Sequence, residues 1–446
     1  MLVRATALAT PNGSGLLPFL LLGFLLAAAL SYGLSVATLR LCLRYNLLDK
    51  PGPRRVHTRP TPRLGGVAIF LAFLTVSLLF FRPANADELR IYSGLLVAAL
   101  LVVIVMAYDD VRGLPPLPRL AVQTLAALIV MFPGGHGVLI EVIHNPLVAV
   151  THDQTALALW LAVPFTWFWI VGMMNTINWV DGIDGLAAGV VTITALAMTA
   201  ISWELGQYTT AILCAILAGA TLGFLPLNWR PARIFMGDSG AMFLGLALAV
   251  LSNVGGAKLA TMLLLLGLPI LDTARVIVRR LRAGHSPLHA DRAHLHHRLL
   301  AGGLSQRQIA LIFYAITATF SVVTILAAYL QAHASLWTQQ LRLVPWLPML
   351  SVAATEAPTL LGLALVVLVS ALAWRWAAYR RKRTGLPPGA SSAEWMIPSS
   401  SRPAAPPAPV APPKPLLDPQ TNPAISSGRR PSGSLSHPVG RRDYRR

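Results

Sequence analysis

Residues 156–201 read ALALWLAVPFTWFWIVGMM, NTINWVDGID and GLAAGVVTITALAMTAI, which are two apolar runs separated by a polar segment. A helix that crosses a bilayer needs about 20 apolar residues, so the two runs predict neighbouring membrane spans. The segment between them contains two asparagines and two aspartates. Ionisable groups at membrane depth are costly and usually functional, and this segment is therefore the first place to look for chemistry.

The rest of the chain is also rich in apolar residues and poor in charged ones. Of 446 residues, 55% are hydrophobic and 12% are charged, and the mean hydropathy is +0.62. An average soluble domain carries about 25% charged residues, so the composition excludes a disordered chain and argues against a water-soluble enzyme. We predict an all-α polytopic membrane protein with about 11 transmembrane helices. The predicted spans are Leu16–Leu39, Gly65–Phe81, Ile91–Tyr108, Pro118–Phe132, Ala156–Met174, Gly185–Ile201, Thr209–Leu227, Gly240–Asn253, Ala257–Val278, Gln308–Leu330 and Thr359–Ala378.

Basic residues set the predicted orientation, because Lys and Arg concentrate in cytoplasmic loops. The loop after the first span is rich in arginine, as are loops 228–239 and 279–307. This pattern puts the N-terminus outside and the C-terminus in the cytoplasm. In the outer loop 133–155, the runs Val138–Ile143 and Leu147–Val150 predict a small periplasmic hairpin between the fourth and fifth helices.

The sequence predicts two regions, an integral membrane domain over 1–383 and a disordered cytoplasmic tail over 384–446. The tail is rich in Pro, Ala, Ser and Arg, and the segment from Arg375 to Arg446 carries +10 of the formal net charge of +19. We expect it to lie near anionic lipid headgroups, and this charge distribution argues against nucleic acid as a partner. The two cysteines, Cys42 and Cys214, suggest no metal or redox centre.

Acidic residues gather at the ends of spans on the predicted cytoplasmic face. Carboxylate and amide oxygens suit Mg²⁺, which binds through one or two carboxylates plus substrate phosphates. Histidine is a poor ligand for Mg²⁺, so the His-Leu-His-His run suits a pyrophosphate, to which it would donate charge-assisted hydrogen bonds. The clusters are Asp109-Asp110, Asn175/Asn178/Asp181/Asp184, Asp238, Asp272 and His294/His296/His297 with Arg292 and Arg298 nearby.

Each cluster also has an ordinary interpretation. Asp109-Asp110 alone is more often a helix cap, Asp238 in Gly-Asp-Ser-Gly is a plausible N-cap, and the histidines could bind Zn²⁺. These ordinary explanations become weaker when the clusters are considered together. Ordinary helix caps would occur on both faces of the membrane, whereas these clusters all lie on the predicted cytoplasmic face.

Five motifs in order resemble the polyprenyl-phosphate N-acetylhexosamine-1-phosphate transferases of glycosyltransferase family 4, in the bacterial undecaprenyl-phosphate GlcNAc-1-phosphate transferase branch. The correspondence runs from Leu48 to Leu299. The motifs are Asp49-Lys50-Pro51 with HTRPTPRLGG over 57–66, Asp109-Asp110, the segment over 175–189, PARIFMGDSG over 231–240, and HLHHRL over 294–299.

The resemblance implies that Asn178 and Asp238 hold Mg²⁺, or Mn²⁺ in its place. It implies catalytic roles for Asp109 and Asp110, beside the lipid phosphate, and for Asp181 and Asp184. It implies that the residues binding substrate are His57, Arg59, Asn175, Arg292, His294, His296 and His297.

The implied reaction moves GlcNAc-1-phosphate from UDP-GlcNAc, or a related UDP-N-acetylhexosamine, to undecaprenyl phosphate at the cytoplasmic face of the bacterial inner membrane. The products are GlcNAc-PP-undecaprenol, which would begin a cell-envelope polysaccharide or teichoic acid, and UMP.

Phospho-MurNAc-pentapeptide transfer is the first alternative, although that branch usually has three consecutive histidines. A proton-coupled transporter is the second. The acetamido sugar, the downstream polymer, a homodimer and the choice of Asp109 or Asp110 as base stay open.

Overall fold

A computed structural model describes residues 14–49, 60–132, 137–144, 154–254, 259–284, 294–341, 362, 364–376 and 378–379. Three predicted site residues, His57, Arg59 and Arg292, lie outside these ranges. So do the predicted strand Leu147–Val150 and the boundary proposed for the C-terminal tail at 383/384.

The described chain is built mainly of helices, and each predicted span falls on one of them, with the ninth divided in two. The bounds are α1 Leu17–Arg44, α2 Gly65–Phe80, α3 Ala86–Arg112, α4 Pro116–Met131, α5 Leu159–Val180, α6 Leu186–Glu204, α7 Tyr208–Asn228, α8 Gly237–Val254, α9 Leu259–Leu265, α10 Gly267–Arg282, α11 Leu295–Ala301, α12 Gln306–Leu341 and α13 Ala364–Trp376.

Six of the described helices are long and apolar enough to cross a membrane: α1, α3, α5, α6, α7 and the first 25 residues of α12. Helices α2, α4 and α13 are apolar but shorter. The predicted ninth span, Ala257–Val278, is not one continuous helix, because the chain breaks at Leu266 between α9 and α10. The protein is therefore a multi-pass helical membrane protein.

Two short antiparallel strand pairs accompany the helices. A hairpin lies in the loop where one was predicted, with β3 (Val142–His144) paired to β4 (Gln154–Ala156). Its first strand overlaps the predicted run Val138–Ile143 only at Val142 and Ile143, and its second strand begins after the other predicted run. The other pair was not predicted: β1 (Leu48–Asp49) pairs with β2 (Thr61–Pro62). These residues were too few to show an alternating pattern, and their pairing depends on the tertiary fold.

Helix α8 lies at the centre of the bundle, in contact with α2, α3 and α5. Residues 237–252 are all buried, as expected for a helix that is apolar on every side. Its predicted span was short because the run Gly240–Asn253 begins after Asp238; the helix itself starts at Gly237. The most enclosed helix of the fold therefore begins at an acidic residue.

Helices α1 and α7 pack closely against each other. A Cβ atom at Gly223 would lie 2.1 Å from the Ala28 carbonyl oxygen, and one at Gly219 would lie 2.2 Å from that of Phe24. The Ser31 hydroxyl donates a 2.6 Å hydrogen bond to the Ala220 carbonyl oxygen. Small residues four positions apart allow membrane helices to approach in this way.

We expect the substitution Gly223→Val to destabilise the protein by ~1–3 kcal/mol, the usual cost of overpacking a filled interface. The measurement is thermal unfolding of the detergent-solubilised protein. Gly172→Ala in α5 is the matched control, since a Cβ there meets nothing within 4 Å. Equal melting temperatures for the two variants would contradict this account of the interface.

Candidate active site

A backbone contact joins the chain before α2 to the chain before α8. The Phe235 amide donates to the Pro62 carbonyl oxygen at 2.8 Å, and the Gly66 amide donates to the Met236 carbonyl oxygen at 2.8 Å. A Cβ at Gly66 would lie 2.0 Å from the Gly240 nitrogen, so only glycine permits this approach. The contact places Arg63 beside the first turn of α8.

Asp110 holds the N-terminus of α8. Its carboxylate accepts hydrogen bonds from the Asp238 amide at 2.7 Å, the Ser239 amide at 3.1 Å and the Ser239 hydroxyl at 2.8 Å. The preceding Gly237 has a φ of 77°, where a side chain would be strained. Since the first amides of a helix lack partners within the helix, Asp110 satisfies two of them and fixes the direction of Asp238.

The Asp238 carboxylate lies between two guanidinium groups. Arg63 Nη2 is 2.9 Å from Oδ1, and Arg119 Nη1 is 2.9 Å from Oδ2. Arg119 also reaches Asp109, with Nε 2.9 Å from Oδ2, and Asp109 accepts a hydrogen bond from the Leu114 amide. Arg119 therefore joins the last turn of α3 to the first turn of α8.

The segment between α5 and α6 brings two more carboxylates to this region. Asp181 follows the end of α5, where the charges of Arg63 and Asp238 act on it. Asp184 accepts a 3.2 Å hydrogen bond from the Ala232 amide and is 3.5 Å from Arg230 Nη1. The segment is thus fixed to the chain that leads into α8.

The two asparagines of α5 differ in their surroundings. Asn175 Nδ2 donates to Gln123 Oε1 and to the Val171 carbonyl oxygen, both at 2.8 Å, so Asn175 holds α4 to α5. Asn178 is half-buried one turn later. Helices α5 and α8 are in contact, since a Cβ at Gly245 would lie 2.5 Å from Met174 Cα, and the charge of Asp238 acts on Asp181 just after α5. Asn178 and Asp238 therefore lie toward the same end of the bundle.

The histidine helix α11 packs against the segment after α5. A Cβ at Gly182 would lie 2.2 Å from His296 Nε2, and the His296 ring centroid is 4.2 Å from that of His297. Within the described part of the chain, His296 Nε2 is buried and has no hydrogen-bond partner. That nitrogen can therefore serve a ligand near Asp181.

Burial lowers the pKa of His296 well below its usual value, and the neighbouring His297 and His294 lower it further. A lowered pKa disfavours the charged form of His296, so burial opposes the expected charge-assisted hydrogen bonds. A neutral imidazole still donates one hydrogen bond, from the nitrogen that carries the proton.

Burial raises the pKa of Asp181 well above its usual range. The carboxylates of Asp238, Asp110 and Asp184 act in the same direction, while Arg63 opposes them. Added positive charge at this point would favour the ionised form of Asp181. The site as described holds five carboxylates and three guanidinium groups, Asp109, Asp110, Asp181, Asp184 and Asp238 with Arg63, Arg119 and Arg230.

The donor set fits a magnesium ion bound with substrate. Among the described residues, no three His, Cys, Asp or Glu side chains form a group that could hold a metal. Mg²⁺ commonly takes only one or two protein carboxylates and completes its shell with phosphate oxygens and water. Asp238 and the amide oxygen of Asn178 are ligands of the kind that this mode uses.

Sequence reasoning missed three residues that organise the site. Arg63 was noted only within a motif, and Arg119 and Gln123 were not singled out. Their position in the sequence could have identified two of them, because Arg119 and Gln123 lie inside the predicted apolar run Pro118–Phe132. A charged residue within such a run is expected to have a buried partner. Which carboxylates Arg119 reaches could not be read from the sequence, because Asp238 is 119 residues away.

Comparison with known proteins gives a consistent result. A profile of glycosyl transferase family 4 matches residues 92–256. A Bacillus subtilis (strain 168) protein named probable undecaprenyl-phosphate N-acetylglucosaminyl 1-phosphate transferase is 33% identical over 307 residues, which cover 67% of this chain and 81% of the relative.

Two further relatives show the range of similarity. A Mycolicibacterium smegmatis protein named decaprenyl-phosphate N-acetylglucosaminephosphotransferase is 36% identical over 65% of this chain and 77% of its own length. A Streptococcus pyogenes serotype M5 protein named phospho-N-acetylmuramoyl-pentapeptide-transferase is 30% identical over 63% of this chain and 89% of its own length.

We expect Asp110→Asn to lower the melting temperature markedly, because the new NH2 group would replace one of the two accepting oxygens and leave the amide of Asp238 or of Ser239 without its acceptor. Leaving buried donors unpaired costs ~1–3 kcal/mol each. Thermal unfolding measures the effect, with Asp87→Asn as the matched control, since Asp87 forms an exposed pair with Arg90. An Asp110→Asn protein as stable as the control would show that Asp110 does not hold α8.

Proposed function

This chain belongs to glycosyl transferase family 4, and we propose that it transfers N-acetylglucosamine 1-phosphate from UDP-GlcNAc to undecaprenyl phosphate. The products are GlcNAc-PP-undecaprenol and UMP. The identities of 33% and 36% to relatives named for this type of transfer support the proposal. The observation that carries it is the convergence of Asp109, Asp181 and Asp238 around Arg63 and Arg119 at one end of the bundle.

The reaction joins two anionic groups, so the protein must neutralise charge and align the attack. An oxygen of the lipid phosphate attacks the β-phosphorus of the donor. The bond from that phosphorus to the bridging oxygen breaks, and UMP leaves with the oxygen. Arg119 touches both Asp109 and Asp238 and is one-third exposed, so its guanidinium can also orient a phosphate.

Asp109 and Asp110 take different roles in this proposal. Both oxygens of Asp110 accept hydrogen bonds from the start of α8, which makes it a positioning residue. Asp109 is buried in the last turn of α3 and paired with Arg119. Through that pair, Asp109 orients the lipid phosphate or accepts a proton from it.

Mg²⁺ would be held by Asp238 and Asn178, and when bound it neutralises the donor pyrophosphate. Asp181 and Asp184 hold the network around it, and the histidines of α11 face the pyrophosphate. The unpartnered Nε2 of His296 supports this last role.

We place the site at the cytoplasmic face of the bacterial inner membrane, in a protein of eleven spans with its N-terminus outside. The end of the bundle that carries the site also carries many basic residues, including Arg63, Arg112, Arg230 and Arg233, as expected for the cytoplasmic side. We propose that the basic tail over 384–446 binds anionic lipid; a homodimer stays a hypothesis.

Phospho-MurNAc-pentapeptide transfer is the less favoured alternative. The relative named for that reaction is 30% identical, below those named for N-acetylglucosamine 1-phosphate transfer. In the histidine run, position 295 carries a leucine, whose side chain has no polar group to offer a donor. A proton-coupled transporter is disfavoured because the described acids other than Asp272 lie at helix ends or between helices, whereas relays place them at membrane mid-depth.

We expect membranes containing the protein to release UMP from UDP-GlcNAc when undecaprenyl phosphate and Mg²⁺ are added. A panel of UDP-sugars, including UDP-MurNAc-pentapeptide, is scored by UMP release, with membranes from cells lacking the protein as the control. Release from no UDP-sugar would exclude the transferase, and release only from UDP-MurNAc-pentapeptide would favour the alternative.

We expect Asp238→Asn to reduce kcat strongly and to raise the Mg²⁺ concentration needed for half-maximal rate, because an amide is a weaker ligand than a carboxylate. A Mg²⁺ titration of purified protein measures this. Asp87→Asn again serves as the control. Unchanged Mg²⁺ dependence in a folded Asp238→Asn protein would exclude Asp238 as a ligand.

A further inference from the structure

Asp272 is a buried acid that the proposed reaction does not use. It lies within α10, and its side chain is 8% exposed. Burying a carboxylate without partners is costly, and Asp272 has two. Its Oδ2 accepts a 2.9 Å hydrogen bond from the Leu295 amide and lies 3.1 Å from His294 Nδ1.

These two contacts cross from α10 to the beginning of α11, more than 20 residues later. The Leu295 amide is at the first position of that helix, which has no partner within the helix. The His294 ring is held by Nδ1 and is 7% exposed. Asp272 therefore fixes both the backbone and the first side chain of α11.

The fixed histidine lies against the end of α5. The ring centroids of His294 and Trp179 are 5.4 Å apart, and Arg280 of α10 lies 5.7 Å from the centroid of the same Trp179 ring. Trp179 directly follows Asn178. The rings of His294 and His296 are nearly parallel, with centroids 5.9 Å apart. The position of α11 thus sets how His296 meets Gly182.

We propose that Asp272 is a positioning residue for the transfer reaction, which places the histidines of α11 against the segment that carries Asp181. The inference rests on the proposed function, in which those histidines face the donor pyrophosphate. Asp272 itself touches His294 and Leu295. Without it, α11 loses its direct bond to α10, and small displacements of groups that orient a substrate have large effects on rate.

Kinetics distinguish positioning from general damage. We expect Asp272→Ala to lower kcat/KM for UDP-GlcNAc by about 10–100-fold, the usual effect of removing a residue that orients a substrate- or metal-binding group, while the KM for undecaprenyl phosphate stays near the wild-type value. Asp272→Asn retains an acceptor for the Leu295 amide and should recover part of the rate. Asp87→Asn is the matched control.

A double variant tests whether Asp272 acts through His294. Asp272→Ala combined with His294→Ala should lower kcat/KM by less than the product of the two separate factors, as expected when residues act as a unit. A full product of the two factors would overturn the proposal. So would wild-type kcat/KM for UDP-GlcNAc in a folded Asp272→Ala protein.

A third measurement does not depend on turnover. Diethyl pyrocarbonate labelling, followed by mass spectrometry, reports the exposure of His294 and His296, which are buried. We expect faster labelling of both in Asp272→Ala and no change in Asp87→Asn; an unchanged labelling rate would overturn the proposal. If no UDP-sugar releases UMP but labelling increases, the proposed function fails while the anchoring of α11 by Asp272 stands.

Discussion

The site depends on one carboxylate that two arginines share. Asp238 lies at the start of the most enclosed helix, where its oxygens are each 2.9 Å from a guanidinium nitrogen. Leaving such a buried charge without a partner costs several kcal/mol. Because this charge must be paired, Arg63 holds the chain before α2 at the beginning of α8, and Arg119 holds α4 there.

Buried carboxylates that accept hydrogen bonds from backbone amides also hold the neighbouring elements in place. Asp110 binds the first amides of α8, Asp184 binds the chain before it, and Asp272 binds the beginning of α11. Three of the acids on this end of the bundle therefore hold backbone in place. Asp109 accepts one backbone hydrogen bond, from Leu114, and is also paired with Arg119, while the charges of Arg63 and Asp238 act on Asp181.

Close packing gives this arrangement its rigidity. Glycine permits contact between the chain before α2 and the start of α8, and between α5 and α8, at distances that exclude a Cβ atom. Helix α8 is surrounded along its length, so the position of Asp238 is set by the centre of the fold. A phosphoryl transfer site benefits from such rigidity, because its catalysis consists mainly of positioning and charge neutralisation.

The sequence by itself determined the class of protein, the positions of the helices and the motifs that carry the acids, because apolar runs and their polar ends are local features. It also pointed to Asp109, Asp181 and Asp238 as one group. Only the tertiary structure decided that Arg119 joins Asp109 to Asp238 and that Asp110 binds backbone. It also decided that burial lowers the pKa of His296 and that α10 begins after a break at Leu266. These features depend on burial and on pairs separated by many residues, which no local pattern encodes.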